Sequence, residues 1–177
     1  TCVVTRTGSV KCWGPNNRAA VGNGTTSHVL VPVDLGLTDV VQAVTGNEFT
    51  CARTRQGSVK CWGDVPNRSP IWKVPTDFPI SKVTQLAAGE SHVCALLQSG
   101  GVTCWGSNGG GELGNGTTSL VSSPAVDVAI AGVGELAAGY GHSCGSLGTA
   151  VKCWGTKIDG LLTFPSPPTP AIVPGLP

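Results

Sequence analysis

Short runs rich in valine, isoleucine and threonine recur along this chain, and glycines separate them at regular intervals. β-Branched residues favour strands and glycine favours tight turns, so the pattern predicts an all-β chain rather than a helical one. The run "GSVKCWG" occurs at residues 8–14 and again at 57–63, with near copies at 100–106 and 149–155. The internal repeat is therefore the first feature to explain.

The repeat extends well beyond its Cys-Trp-Gly triplet. The triplet cysteines are 49, 43 and 49 residues apart, and a second cysteine precedes each by nine or ten residues. Downstream come a glycine-rich segment, a proline and another apolar run. One unit thus predicts a hairpin, a loop, a third strand and a strand leading into the next unit. A period of about 40–50 residues built from short strands is typical of β-propeller blades.

Three segments carry a resemblance to a known family. They are "AAGESHVC" (87–94), "GGVTCWGSN" (100–108) and "GELGNGTT" (111–118), with partial copies elsewhere in the chain. This pattern resembles the repeats of the RCC1 (regulator of chromosome condensation) family, in the cysteine-bearing form typical of extracellular relatives. The resemblance implies a propeller of four-stranded blades, of which there are usually seven.

The resemblance covers nearly the whole chain, 1–177, as one repeat region, but it supplies only about four blades. The approximate units are 1–45, 46–88, 89–138 and 139–177, and the first and last are partial. We therefore expect a fragment of a longer propeller or a multichain assembly. Because open strand edges favour pairing with another chain, self-association is also expected.

The hairpin between the two cysteines of each unit has a register that can be counted. A three-residue loop at 55–57, with Gly57 in the left-handed position, sets Cys51 opposite Cys61. The last hairpin is one residue shorter, and a two-residue loop at Gly148 and Thr149 compensates for the deletion. The same construction predicts the further pairs Cys2–Cys12, Cys94–Cys104 and Cys144–Cys153.

Opposed cysteines of this kind predict four disulfides. Their Cα atoms are about 4.5 Å apart in a non-hydrogen-bonded pair, and eight cysteines leave none over. Disulfides indicate an oxidising compartment, so we expect an extracellular or cell-surface protein. The H-x-C sequences at His92 and His142 raise a zinc alternative, but the C-x2-C spacing is missing. No metal or cofactor is expected.

The other repeated residues are interpreted as structural. The four triplet tryptophans are expected to pack between neighbouring blades, the alternative being a ring of aromatics that stack on a ligand. His92 and His142 are expected to hydrogen-bond a neighbouring loop. Asn23, Asn67 and Asn115 each begin an N-x-S/T sequon, so they are possible glycosylation sites.

Composition excludes two classes of function. Charged residues make up only 12% of the chain, and the formal net charge is +1. The lysines and arginines are not clustered along the sequence. Nucleic-acid binding is therefore not expected. No apolar run approaches the roughly 20 residues that span a membrane.

Function is expected where the copies of the repeat differ. The second unit replaces the glycine-rich loop with "DVPNRSPIWKVPTDFP" (64–79), and exposed Trp and Arg are enriched at interfaces. The alternative is that its tryptophan fills the gap left by the missing glycines. The last unit substitutes a proline-rich segment at 156–170, predicted to be an extended linker. The candidate interface residues are Arg68, Trp72, Lys73 and Phe78.

Four classes of function are compatible with these features to different degrees. A non-enzymatic extracellular scaffold that binds protein or builds an assembly accounts for them best, partly through the family resemblance. Glycan binding and enzyme inhibition are alternatives. Nucleotide exchange on a small GTPase, the activity of the family's founding member, conflicts with four opposed cysteine pairs. No catalytic constellation stands out, and His28 is the one histidine outside the repeat pattern.

Overall fold

A computed structural model describes residues 1–156 and 168–174. Within those ranges the chain forms short β-strands and no helix, so it contains no helix that could cross a membrane. The predicted all-β fold is confirmed. Most of the predicted proline-rich linker at 156–170 lies outside the described residues.

The strands form four sheets in which sequence neighbours are also spatial neighbours. The first sheet contains β1 (Cys2–Val4), β2 (Val10–Gly14) and β3 (Val29–Asp34). The second contains β4 (Val40–Thr45), β5 (Phe49–Thr54), β6 (Val59–Gly63) and β7 (Trp72–Phe78). The third contains β8 (Val83–Ala88), β9 (His92–Leu97), β10 (Val102–Asn108) and β11 (Ser119–Asp127). The fourth contains β12 (Glu135–Ala138), β13 (His142–Ser146), β14 (Val151–Gly155) and β15 (Ala171–Ile172).

The chain divides into two compact halves, Thr1–Leu86 and Ala87–Pro177. Each half has a core made by apolar side chains from two consecutive sheets, as the repeat pattern requires. The core of the first half includes Val10, Cys12, Val21, Val40, Ala52 and Trp62. The core of the second includes Cys94, Leu113, Val128, Val133, Leu136 and Trp154.

The counted hairpin registers are confirmed. Cys51 pairs with Cys61 across β5 and β6, and Gly57 has a φ of 83°, the left-handed value that the three-residue loop needs. In the last hairpin Gly148 has a φ of 80°, and the Leu147 N–H donates to the Ala150 carbonyl across the two-residue loop (2.8 Å). The deletion in that loop therefore preserves the pairing of the cysteines on either side.

All eight cysteines form disulfides, and each bond joins the two cysteines of one hairpin. The Cα atoms of each pair are 4.1 Å apart, as expected of directly opposed residues. In the three four-stranded sheets the bond joins the two middle strands, and in the three-stranded first sheet it joins β1 to β2. The bonded pairs are Cys2–Cys12, Cys51–Cys61, Cys94–Cys104 and Cys144–Cys153.

The last strand of each of the first three sheets, counted in chain order, is called the outer strand here. The three outer strands share two irregularities. Each shows a register shift beside the glycine of the triplet, and each contains a proline, which lacks the N–H that a further strand would use. Bulges and prolines blunt a sheet edge against uncontrolled pairing. The prolines are Pro32 in β3, Pro75 in β7 and Pro124 in β11.

Candidate interaction surface on the second sheet

The triplet tryptophans are packing residues. Trp62 of β6 is fully buried, and its indole N–H donates to the Ala20 carbonyl in the loop of the preceding sheet (2.9 Å). Trp154 of β14 does the same to the Glu112 carbonyl (2.9 Å). The expected packing between neighbouring sheets is therefore confirmed at these two positions. The other two are Trp13, which is half-buried, and Trp105, which is buried.

The same loop carbonyls accept a second hydrogen bond that was not predicted from the sequence. The Thr50 hydroxyl donates to Ala20 (2.9 Å), and the Ser143 hydroxyl donates to Glu112 (3.3 Å). Both donors stand immediately before the first cysteine of a unit. Their shared position and hydroxyl group are the signal that could have identified them.

His92 is buried at the start of β9 and bonds Ser143 in the following sheet, with 2.8 Å between Nε2 and Oγ. The partner thus lies in a strand rather than in the expected loop. Burial lowers the pKa of His92 from 6.5 to about 4, repulsion from His142 adds to this, and a backbone hydrogen bond to His142 opposes it. Because both side chains are sealed from solvent, this serine and histidine have no access to a substrate.

The glycine-rich loops of the first and third sheets hold their sequons in one arrangement. Asn23 Oδ1 accepts the backbone N–H and the hydroxyl of Thr25 (3.2 and 2.9 Å), and Asn115 Oδ1 accepts the same groups of Thr117 (3.1 and 2.8 Å). A backbone N–H can only donate, so these contacts identify the amide oxygen. Asn67 is exposed instead, in a left-handed turn with a φ of 61°.

The loop that interrupts the second unit carries a stacked arginine. The guanidinium carbon of Arg68 lies 4.8 Å from the centroid of the Phe78 ring and 5.8 Å from that of Trp72. Both distances are within the range of a cation–π interaction. Trp72 is half-buried, and Lys73 beside it is exposed. We call Arg68, Trp72 and Lys73 the Arg68 patch.

The predicted interface residues therefore differ in their surroundings. Phe78 is only 4% exposed, so it can support the Arg68 patch from below but cannot itself present a surface to a partner. The sequence groups Arg68 with these aromatic residues only because they lie in one loop and the strand that follows it. The stacking of its guanidinium on two rings required the structure.

A second polar cluster lies in the first half of the chain and was not predicted from the sequence. Arg18 is 3.7 Å from Glu48 and 3.8 Å from Asp64, and all three side chains are well exposed. Arg18 and Glu48 also border a cavity of about 160 Å³. Ligand pockets are usually larger, at about 300–1,000 Å³, and solvated ion pairs of this kind are common on surfaces. We therefore assign no binding site to this cluster. The cavity is lined by Pro15, Asn17, Arg18, Ala20, Asn47 and Glu48.

In the described part of the chain, no group of three or more histidine, cysteine, aspartate or glutamate side chains could hold a metal ion. The remaining unrepeated histidine, His28, is exposed and bonds Asn17 through Nε2 (2.9 Å).

Together, the stapled hairpins, the four consecutive sheets and the tryptophan contacts define a class of repeat protein built from propeller-type blades. The chain belongs to the RCC1 repeat family: models described as the regulator of chromosome condensation (RCC1) repeat match residues 7–53, 40–68 and 83–112. No curated protein sequence matches the chain significantly.

Solved structures agree with the fold. Human WBSCR16 superposes with a TM-score of 0.84 at 22% identity, over 99% of this chain and 51% of that one. Yeast RCC1 (Prp20), solved with Kap60, gives 0.79 at 19% identity, over 99% and 48%. The receptor kinase CR4 ectodomain of Physcomitrella patens gives 0.54 at 22%, over 87% and 38%. The chain thus spans about half the length of the first two proteins.

Proposed function

We propose that this chain is a non-enzymatic, extracellular RCC1-repeat scaffold that binds a protein partner through the Arg68 patch. The observation that carries the proposal is a stacked arginine beside a half-exposed tryptophan, at the point where the second unit departs from the repeat. Arginine and tryptophan are the residues most enriched among interface hot spots. Positions shared by every unit serve the packing, so this departure is where a specific partner would be recognised.

Two further observations support the proposal. Four disulfides suit an oxidising environment outside the cytosol. A Saccharomyces cerevisiae relative of the same fold, Prp20p, has been described with binding properties towards Gsp1p and histones, which illustrates protein binding on this architecture. Glycan binding through Trp72 is the alternative that the experiment must distinguish.

Site-specific photocrosslinking tests the proposal. A photoreactive amino acid at position 72, in native oxidised protein incubated with secreted proteins from the source organism, should capture a discrete partner. The matched control places the same group at Thr7, an exposed turn residue of the first hairpin. Capture should occur from position 72 alone and disappear in Arg68→Ala, whose melting curve should match that of the wild type.

The same proteins captured from both positions would contradict the proposal, and so would capture that survives Arg68→Ala. Binding to a glycan array with no protein captured would favour the glycan alternative instead.

Self-association is also proposed, and exposed apolar side chains on β3 favour it. Leu30 and Val31 are 90% and 66% exposed on this outer strand, and large exposed apolar groups mark contact surfaces. Light scattering at increasing concentration should show mass growth in the wild type that Leu30→Ser with Val31→Thr reduces. A constant monomer mass in the wild type would contradict it.

Glycosylation at Asn23, Asn67 and Asn115 is proposed for a host that glycosylates secreted proteins. At Asn23 and Asn115 the hydrogen bonds engage Oδ1 and leave Nδ2, the atom that carries an N-linked glycan, without an acceptor in the described ranges. Intact mass before and after enzymatic deglycosylation, with each asparagine changed to glutamine, tests the three sites. An unchanged mass for the wild type would contradict the proposal.

A further inference from the structure

Arg68 is held in position by its own loop and by two aromatic rings of β7. Its backbone N–H donates to the Val65 carbonyl (3.0 Å), and its guanidinium rests on the rings of Phe78 and Trp72. Phe78 is buried, so the nearer of these two rings is itself fixed by packing. Stacking restrains a long side chain that would otherwise lose rotamer entropy when it binds a ligand. Arg68 is therefore organised for binding in advance.

The donors of this guanidinium are unused in the described part of the chain. Arg68 makes no side-chain hydrogen bond and no ion pair there, whereas Arg18, Arg55 and Lys60 each have a carboxylate within 4 Å. A guanidinium presents five N–H groups, and stacking on a ring uses its face rather than its edge. The edge of Arg68 is thus free to receive an acceptor from another molecule.

The backbone of β7 is poorly suited to pairing with an added strand. The Lys73 carbonyl accepts the Gly24 N–H (2.9 Å), the Val74 carbonyl accepts the Thr76 hydroxyl (2.9 Å), and Pro75 has no N–H. An edge with its carbonyls occupied and a donor missing opposes strand addition. A partner at this strand must therefore be recognised through side chains.

The charge at the patch selects the partner's chemistry. Arg68 and Lys73 are both cationic, and Asp77, the acid on the same strand, is paired with Lys60 (2.6 Å). We propose that Arg68 is an anion-binding residue that receives, in bidentate fashion, a carboxylate from an acidic peptide segment of the partner. The planar fork of a guanidinium matches the two oxygens of a carboxylate. This inference rests on the proposed function and names the chemical class of the partner segment.

Titration with a capped hexaglutamate peptide tests the inference on native, disulfide-bonded protein. The measurements are calorimetry and the NMR signal of the Arg68 Nε–H group. The wild type should bind hexaglutamate and not capped hexaglutamine, with a shift of the Arg68 signal. Arg68→Gln should weaken binding by about tenfold to a hundredfold, since hydrogen bonds to charged groups contribute about 1.5–3 kcal/mol. Arg68→Lys should also weaken it, because lysine lacks the fork.

Arg6→Gln is the matched control, because it removes the same charge from an exposed arginine outside the patch. It should change the affinity by less than about twofold through screened long-range attraction alone. Equal losses in Arg68→Gln and Arg6→Gln would overturn the inference, and so would equal binding of hexaglutamine. Tighter binding of a phosphoserine peptide through Arg68 would overturn the carboxylate assignment.

The two proposals can fail separately. A specific crosslink from position 72 without hexaglutamate binding would overturn the acidic-segment inference and leave the proposed function standing. Hexaglutamate binding at Arg68 without any crosslinked partner would overturn the proposed function and leave the anion-binding residue.

Discussion

Single residues in this protein are explained best by comparing equivalent positions of the repeat. Trp62 and Trp154 bond the carbonyls of Ala20 and Glu112, which occupy corresponding places in two glycine-rich loops. One contact required in both units accounts for both tryptophans, so neither needs a functional role. The contact was foreseeable because the repeat itself points to packing. Its carbonyl acceptor was not, since nothing in the local sequence singles out Ala20 or Glu112.

Gly114, which faces the ring of Trp154, leaves no room for a side chain. A Cβ at Gly114 would lie 2.7 Å from the Trp154 indole, whereas one at Gly36 would meet nothing within 4 Å. Their φ values, 66° and 67°, are nearly equal. Gly36→Ala should therefore cost only the left-handed strain of about 1–2 kcal/mol. Gly114→Ala should cost about 1–3 kcal/mol more through overpacking, as measured by denaturant unfolding. Equal losses would contradict the packing account.

His92 should make stability depend on pH. Its pKa is about 4 in the folded protein and 6.5 in the unfolded chain, so the unfolded state takes up the proton first as the pH falls. Neutral His92 therefore contributes fully to the free energy of unfolding above pH 6.5, and this contribution is lost progressively between pH 6.5 and 4. At about 1.4 kcal/mol per unit of pKa, the loss is about 3 kcal/mol in the free energy of unfolding. Denaturant unfolding over this pH range measures it.

The control for His92 comes from the chain itself. Phenylalanine stands at the equivalent position 49, so His92→Phe should fold and lose most of the pH dependence. A smaller slope should remain, because burial also lowers the pKa of His142. An unchanged slope in His92→Phe would show that another group is responsible.

At the scale of the element, the hairpins were the most predictable part of the structure. Loop length and one left-handed glycine determine which residues face each other, so counting from Gly57 or Gly148 gives the cysteine pairing. The outer strands were less predictable. Their register shifts arise beside the triplet glycines, where β6 meets β7 for example, and no turn length encodes them. The packing of Arg68 on Phe78 depends on that irregular region.

Each disulfide should stabilise its own hairpin by a similar amount. A closed loop of about ten residues gives about 3 kcal/mol on the chain-entropy model. The double variant Cys94→Ala, Cys104→Ala should lower the free energy of unfolding by about that much while leaving the far-UV circular dichroism of the strands unchanged. Loss of all β-sheet signal would show instead that the disulfide is required for the sheet to form.

At the scale of the whole molecule, the repeat made the fold predictable and left the site uncertain. A period of about 40–50 residues with matching turns leaves few arrangements of short strands, so the fold class could be read from the sequence. The Arg68 patch could be located only as a departure from the repeat. Its chemistry depends on which side chains meet across an irregular loop, and residue order alone does not determine that.

The central claim is that the repeated cysteines and tryptophans have a structural role. The divergent loop of the second repeat unit is then the part of the chain available for recognition. Peptide mapping of the native protein by mass spectrometry, without reduction and after thiol alkylation, tests it most directly. The account predicts no alkylated cysteine and four linked peptide pairs, each joining the two cysteines of one hairpin. Free thiols in the native protein, or links between different units, would contradict it.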